Sequence, residues 1–223
     1  MGEPVLTPTA DAEEAAARAA QVLAAALDAA RAIHGAGHGA LAGGSTPRRA
    51  YELLGPLLPD WADVHLWFGD ERCVPPDDPD SNFRMVREAL DAPGATIHRI
   101  RGELGAEGAA ADSSAELGDT TLDVALLGLG EDGHTASLFP NRPELQARGV
   151  AIPVHDAPKP PPDRVSLTLE KLNASRRIVL LVAGASKAEA LARVLAGPDP
   201  ATPASLLDRD KLEIVADAAA LDG

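Results

Sequence analysis

The sequence predicts an α/β fold of three layers, with helices on both faces of a doubly wound, mostly parallel sheet. Short apolar runs of strand length alternate with helical stretches along the chain, and this alternation is typical of βαβ units. Residues 122–127 are almost entirely apolar, as expected of a strand that is buried on both faces of a parallel sheet. The length of 223 residues suits one such domain, and we expect residues 1–223 to form it.

The individual elements follow from local signals along the chain. Thr9 or Asp11 can cap a long alanine-rich helix that runs to about residue 33 and has acids in its first turn. Later helices are predicted at residues 47–58, 81–90 and 186–195, with a weaker one at 103–119. Strands are predicted at residues 40–42, 64–68, 97–100, 122–127, 150–154, 165–169, 178–183 and 212–215.

Composition restricts the partners and cofactors that we expect. The formal charge of −14 argues against nucleic acid and anionic membrane surfaces as partners. The single cysteine, Cys73, cannot form an intrachain disulfide, and the six histidines lack zinc-binding spacing, so no metal is expected. The N-terminus lacks the features of a signal peptide, and no apolar run is long enough for a membrane span. We therefore expect a cytoplasmic protein.

The segment Gly43, Gly44, Ser45 and Thr46 directly follows the strand at 40–42 and forms the first candidate site. Thr46 suits a helix N-cap and Pro47 a first helical residue, so a helix should begin there. The two glycines expose backbone N–H groups, and the hydroxyls lie at the positive end of that helix. This combination favours phosphate binding over an ordinary capped turn, which needs no double glycine.

Charged residues follow two other predicted strands and precede a third. Asp70 and Arg72 come directly after residues 64–68; Arg72 could bind a phosphate or a carboxylate, and Asp70 could act as a base or orient one. A solvated charged turn explains this loop equally well. Arg164 and Lys187 are further candidate cations. Because a lysine at a helix start opposes the helix dipole, a functional reason for Lys187 is expected.

A glycine-rich turn after residues 122–127 delivers one histidine, His134, to its far end. Open α/β sheets bind ligands at the carboxyl ends of their strands, which is where this histidine is expected. An imidazole can take up or release a proton near neutral pH. His134 is therefore the candidate general base.

The same turn matches the dinucleotide fingerprint through Gly128, Gly130 and Gly133. That fingerprint requires a helix to start at the third glycine, with its N-terminus on the pyrophosphate. Pro140 and Pro143 interrupt the following segment, so a long helix is not expected there. An acidic pair also lies between the second and third glycines, where it would repel phosphate. We therefore expect no binding of NAD or NADP.

Taken in order, these loops resemble those of the 6-phosphogluconolactonases, members of the sugar-phosphate isomerase/deaminase superfamily. The resemblance implies a fold of the glucosamine-6-phosphate deaminase/ribose-5-phosphate isomerase type. It covers most of the chain, although residues 103–119 show no clear family pattern. The matching stretches are LAGGSTP (41–47), WFGDERCVPPDDPDSNFRMVREAL (67–90), LLGLGEDGHTASLFP (126–140), PKPPPDRVSLTLEKLN (158–173) and GASKAEAL (184–191).

The resemblance implies hydrolysis of 6-phospho-D-glucono-1,5-lactone to 6-phosphogluconate in the oxidative pentose phosphate pathway, without a cofactor. It implies that His134 activates the attacking water, with Asp70 nearby. A monomer is expected, and a dimer is left open. The phosphate surroundings that the resemblance implies are Ser45, Thr46, Arg72, Arg164 and Lys187.

Two other functions are left open by the sequence. An amino-sugar-phosphate deaminase or isomerase could share this fold, but deaminase relatives carry an acid soon after the histidine, and residues 135–139 contain none. A sugar-phosphate-sensing domain of a transcription regulator could also share it. Such a regulator needs a basic DNA-binding module, for which the acidic N-terminal helix leaves no room.

Overall fold

A seven-stranded parallel sheet forms the centre of the molecule in a computed structural model, which describes residues 2–222. The strand order is β1-β10-β9-β6-β2-β3-β5, and a second sheet has the antiparallel order β4-β8-β7. The strands are β1 (Val5–Thr9), β2 (Gly37–Leu41), β3 (Val64–Phe68), β4 (Asp70–Arg72), β5 (Thr96–Ile97), β6 (Val124–Gly128), β7 (Ala151–Val154), β8 (Arg164–Leu167), β9 (Ile178–Val182) and β10 (Leu212–Asp217).

Helices cover both faces of the parallel sheet and create two separate cores. Neighbouring strand residues point to opposite faces, so Leu126 packs in one core and Leu127 in the other. This arrangement confirms the predicted three-layer α/β fold.

None of the helices in residues 2–222 has both the length and the apolar character needed to cross a membrane. The helices are α1 (Ala12–His34), α2 (Ser45–Leu54), α3 (Asn82–Ala89), α4 (Gly105–Leu117), α5 (Leu169–Asn173), α6 (Ala188–Ala196) and α7 (Ala218–Leu221).

Helix starts depart from the sequence prediction at one important place. Asp11 caps α1 by accepting a hydrogen bond from the Glu14 backbone N–H at 2.8 Å, as expected. For α2, however, the prediction that Thr46 is the N-cap is wrong, because the helix already begins at Ser45. Gly44 is the N-cap, with a φ of 106° that only glycine adopts easily.

The small antiparallel sheet contains two of the predicted strands and one that was not predicted. The runs at 150–154 and 165–169 correspond to β7 and β8, which pair with each other and not with the parallel sheet. β4 was expected to be a loop. Gly69 connects the two sheets, because its N–H donates to Leu41 O and its C=O accepts from Leu167 N, both at 2.8 Å.

Glu71 ties β4 to the start of α3 although it is almost fully buried. Its Oε1 accepts from the backbone N–H groups of Arg72 (2.8 Å) and Asn82 (2.7 Å). Its Oε2 accepts from Phe83 N (2.8 Å) and Ser81 Oγ (3.1 Å). Burial raises the pKa of Glu71, and the backbone donors offset only part of that rise. This carboxylate therefore has a structural role.

We expect Glu71→Gln to lower the free energy of unfolding by about 1–3 kcal/mol, because an amide offers one acceptor oxygen where two are used. Urea denaturation followed by circular dichroism measures the change. The control is Glu189→Gln, whose exposed carboxylate pairs with Arg193 and whose loss should cost less than about 0.5 kcal/mol. Equal effects of the two substitutions would contradict the structural role of Glu71.

Candidate active site

A cleft of about 310 Å³ opens at the carboxyl ends of the parallel strands, where the two sheets meet. Its position agrees with the general rule for ligand binding in open α/β sheets. The walls come from loops that are distant in sequence but adjacent in space. All of the predicted site residues line this cleft: Gly43, Gly44, Ser45, Thr46, Asp70, Arg72, His134, Arg164 and Lys187.

The glycine loop at residues 43–46 is held from both sides. The buried Tyr51 hydroxyl donates to Ala42 O (2.9 Å) and accepts from Ala42 N (2.8 Å), which fixes the end of β2. On the other side, a Cβ placed on Gly43 would lie 2.0 Å from Asn82 Oδ1. A glycine is therefore required for the loop to pack on Asn82. The resulting loop ends at the N-terminus of α2, which favours a bound anion.

Asp70 lines the cleft as one part of a buried hydrogen-bond network. Its Oδ2 accepts from Ser137 Oγ at 2.6 Å, and its Oδ1 accepts from Asn82 Nδ2 at 3.2 Å. Ser166, the register partner of Asp70 in β8, accepts from the Ser137 backbone N–H through its Oγ at 3.3 Å. Both carboxylate oxygens are engaged, so the geometry favours Asp70 as an orienting group over Asp70 as a base.

Two arginines face each other across the small sheet. Arg72 on β4 is the register partner of Arg164 on β8, a position at which like charges repel. Arg72 Nη1 donates to Asp80 O at 2.5 Å, while its buried Nε has no acceptor among the described residues. Burial lowers the pKa of Arg164 and the charge of Arg72 acts in the same direction, while the charge of Asp70 opposes both. This pair is well suited to bind an anion.

Lysines contribute further positive charge to the cleft. Lys187 lies at the end of a 3-10 helix (Ala185–Lys187), and its Nζ is 3.9 Å from Glu131 Oε1. Lys159, in the proline-rich loop before β8, also lines the cleft. Sequence reasoning missed Lys159 and Asn82, although both lie within the stretches that carry the family resemblance.

The turn at residues 130–134 holds His134 against an acid. The Nδ1 atom of His134 is 2.5 Å from Asp132 Oδ1, which also accepts from the His134 backbone N–H at 3.2 Å. Burial alone would raise the pKa of Asp132, but the hydrogen bond and charge of His134 bring it down to about 2. When Nδ1 carries the proton that Asp132 accepts, Nε2 remains able to accept a second one. This is the arrangement that a general base requires.

Gly130 makes this arrangement possible. A Cβ at this position would lie 2.0 Å from His134 Nδ1 and 2.6 Å from Asp132 Oδ1. Its backbone N–H donates to His134 O at 2.8 Å, so the turn closes on itself. The imidazole therefore rests directly on the glycine backbone.

The backbone that follows this turn lacks the helix of a dinucleotide fingerprint. Residues 134–142 form turns and an isolated bridge between Thr135 and Leu138, so the helix required by the fingerprint does not follow Gly133. Within residues 2–222, no group of three or more histidine, cysteine, aspartate or glutamate side chains is placed to hold a metal ion.

Comparisons with known proteins point to one family. A family model described as "Glucosamine-6-phosphate isomerases/6-phosphogluconolactonase" matches residues 10–216. A 6-phosphogluconolactonase of Mycobacterium tuberculosis is 39% identical over 180 residues, which cover 68% of this chain and 73% of that protein. The crystal structure of a 6-phosphogluconolactonase from Shewanella baltica superposes with a TM-score of 0.87 at 28% identity, covering 97% of this chain and 98% of that one.

A solved structure with lower sequence identity to this chain is evidence for its fold alone. A monomeric glucosamine-6-phosphate deaminase has a TM-score of 0.80 at 22% identity, covering 98% of this chain and 99% of that chain. It confirms the predicted likeness to the deaminase type of α/β fold.

We expect Gly130→Ala to displace the His134 ring, because the added methyl group would overlap its Nδ1 atom. The measurement is the NMR signal of the hydrogen-bonded Nδ1 proton, which should disappear or move strongly. Gly128→Ala, at the end of β6 two residues earlier, is a matched control, since a Cβ there would have no atom within 4 Å. An unchanged signal in Gly130→Ala would refute the steric argument.

Proposed function

This chain belongs to the glucosamine-6-phosphate isomerase/6-phosphogluconolactonase family, and on that basis we propose that it hydrolyses 6-phospho-D-glucono-1,5-lactone to 6-phosphogluconate. His134, which is hydrogen-bonded to Asp132 and lines one cleft together with two facing arginines, is the observation that supports this proposal most directly. The deaminase alternative has less support, because residues 135–139 carry no acid.

In the proposed reaction, His134 removes a proton from a water molecule as the water oxygen attacks the lactone carbonyl carbon. Asp132 holds the ring through Nδ1 and stabilises the imidazolium that forms. The bond between the carbonyl carbon and the ring oxygen then breaks, and the proton on His134 can pass to that oxygen. Water is thus added across the ester, and the new carboxylic acid ionises. General-base help of this kind is worth about 10²–10⁴-fold.

The substrate phosphate is proposed to lie among the cations and the glycine loop. Backbone N–H groups of Gly43 and Gly44 and the hydroxyls of Ser45 and Thr46 lie at the start of α2 and offer neutral donors. Arg72, Arg164 and Lys187 are proposed to supply charge-assisted contacts. Such local cations are needed because the chain as a whole carries a charge of −14.

We also propose that residues 1–223 act as a single domain and as a monomer in the cytoplasm, without nucleic-acid partners. The net charge of −14 argues against nucleic-acid partners, and a chain with a single cysteine, which cannot form an intrachain disulfide, suits a reducing cytoplasm.

His134→Asn should lower kcat for lactone hydrolysis by about 10²–10⁴-fold, because it removes the proposed base while keeping a polar side chain. Hydrolysis of freshly generated lactone, corrected for the spontaneous reaction, gives the rate. Binding of 6-phosphogluconate should change little, since the base acts mainly in the transition state. His34→Asn, at the exposed end of α1, is the control. Turnover close to wild type in His134→Asn would rule out the proposed base.

Arg164→Ala should weaken binding of 6-phosphogluconate by about 10- to 100-fold, while binding of unphosphorylated gluconate weakens much less. Arg72→Ala and Lys187→Ala should behave similarly. Isothermal titration with both ligands measures the difference. Arg87→Ala removes an exposed arginine that pairs with Asp77 and serves as the control. Equal losses for both ligands would show that the residue does not recognise the phosphate.

A further inference from the structure

The ring of Phe139 contacts two residues of the proposed site at once. Its centroid lies 4.9 Å from that of the His134 imidazole, with the two planes inclined at 45°. The guanidinium carbon of Arg164 lies over the same ring, 5.7 Å from its centroid. Phe139 is one of three phenylalanines in the chain. One of these few rings therefore packs against both the proposed base and a proposed anion-binding group.

Phe139 is not among the described residues that line the cleft, so it can influence the reaction only through its neighbours. It is 2% exposed and packs against Val154 and Ala157. Val154 is the register partner of Arg164 across β7 and β8. The ring is thereby anchored on the small sheet, while its backbone lies five residues after His134, in the segment that follows the turn.

The contact with Arg164 leaves the charge of that residue available. Arg164 Nε and Nη2 donate to the carbonyl oxygens of Pro161 (3.0 Å) and Lys159 (2.8 Å). Within residues 2–222, no protein acceptor bonds to its Nη1, and no acid lies within salt-bridge distance. An aromatic face attracts a cation without neutralising it. A carboxylate in the same place would hold the guanidinium equally well but would compete with a bound anion.

We propose that Phe139 is a positioning residue that fixes the distance between His134 and the Arg164 guanidinium. This inference rests on the proposed function, in which these groups act on the lactone carbonyl and the phosphate of one molecule. A fixed distance selects substrates whose electrophilic carbon and anionic group have the matching separation. The same ring therefore contributes to both rate and substrate selection, although it does not touch the substrate.

The test is Phe139→Leu, which keeps an apolar side chain of similar size but removes the aromatic face. We expect kcat/KM for the lactone to fall by about 10- to 100-fold, since small displacements of a catalytic group have effects of this size. In double-mutant cycles, Phe139→Leu should affect turnover much less when His134 is already asparagine. It should likewise affect 6-phosphogluconate binding much less when Arg164 is already alanine. Additive effects in either cycle would overturn the proposal.

Phe83→Leu is the matched control, because the Phe83 ring also contacts arginines but does not line the cleft. The guanidinium carbons of Arg87 and Arg99 lie 5.5 and 5.8 Å from the centroid of that ring. The effects of Phe83→Leu should be small and additive with those of His134→Asn.

NMR provides a readout that is independent of activity: the ring-current shift of the His134 protons should be lost in Phe139→Leu and kept in Phe83→Leu. If the wild-type protein does not hydrolyse the lactone, the proposed function fails. The NMR shifts and the binding cycle then still decide the role of Phe139, and unchanged His134 shifts in Phe139→Leu would refute it.

Discussion

Two backbone hydrogen bonds of Gly69 connect the parallel sheet to the small antiparallel sheet, and the site depends on that connection. The N–H of Gly69 donates to Leu41 O at the end of β2, and its C=O accepts from Leu167 N at the end of β8. The glycine loop and the turn of His134 follow strands of one sheet, whereas the facing arginines lie on the other. The cleft is therefore the junction itself, and its geometry is only as precise as the register between the two sheets.

Much of this arrangement could be predicted because it has a local cause. β3 matches the predicted run of residues 64–68, since apolar residues of strand length between polar turns have few alternatives. β4 could not be predicted, because Asp70, Glu71 and Arg72 show no strand pattern and become a strand only by pairing with β8. The Asn82 contact with Gly43 also depends on tertiary packing and leaves no local signal.

The three glycines at positions 128, 130 and 133 show how one spacing of glycines can have different physical causes. In a dinucleotide site such glycines allow a close approach to pyrophosphate. Here Gly130 accommodates the His134 ring, and Gly133 has a φ of 91° and would clash with Thr202 if it carried a Cβ. The prolines that follow and the acidic pair between the second and third glycines, and not the glycines themselves, distinguished the two cases in the sequence. The pairing of His134 with Asp132 was missed because an acid two residues away is common in turns.

The facing positions of Arg72 and Arg164 have a consequence for the evolution of the fold. The positive charges of two register-paired arginines repel each other, and a bound anion would relieve that repulsion. A neutral side chain at either position would remove that repulsion. Under the proposed function, their presence together amounts to a stability–function trade-off located in a single strand pair. Stabilising variants of this protein should therefore be sought away from β4 and β8.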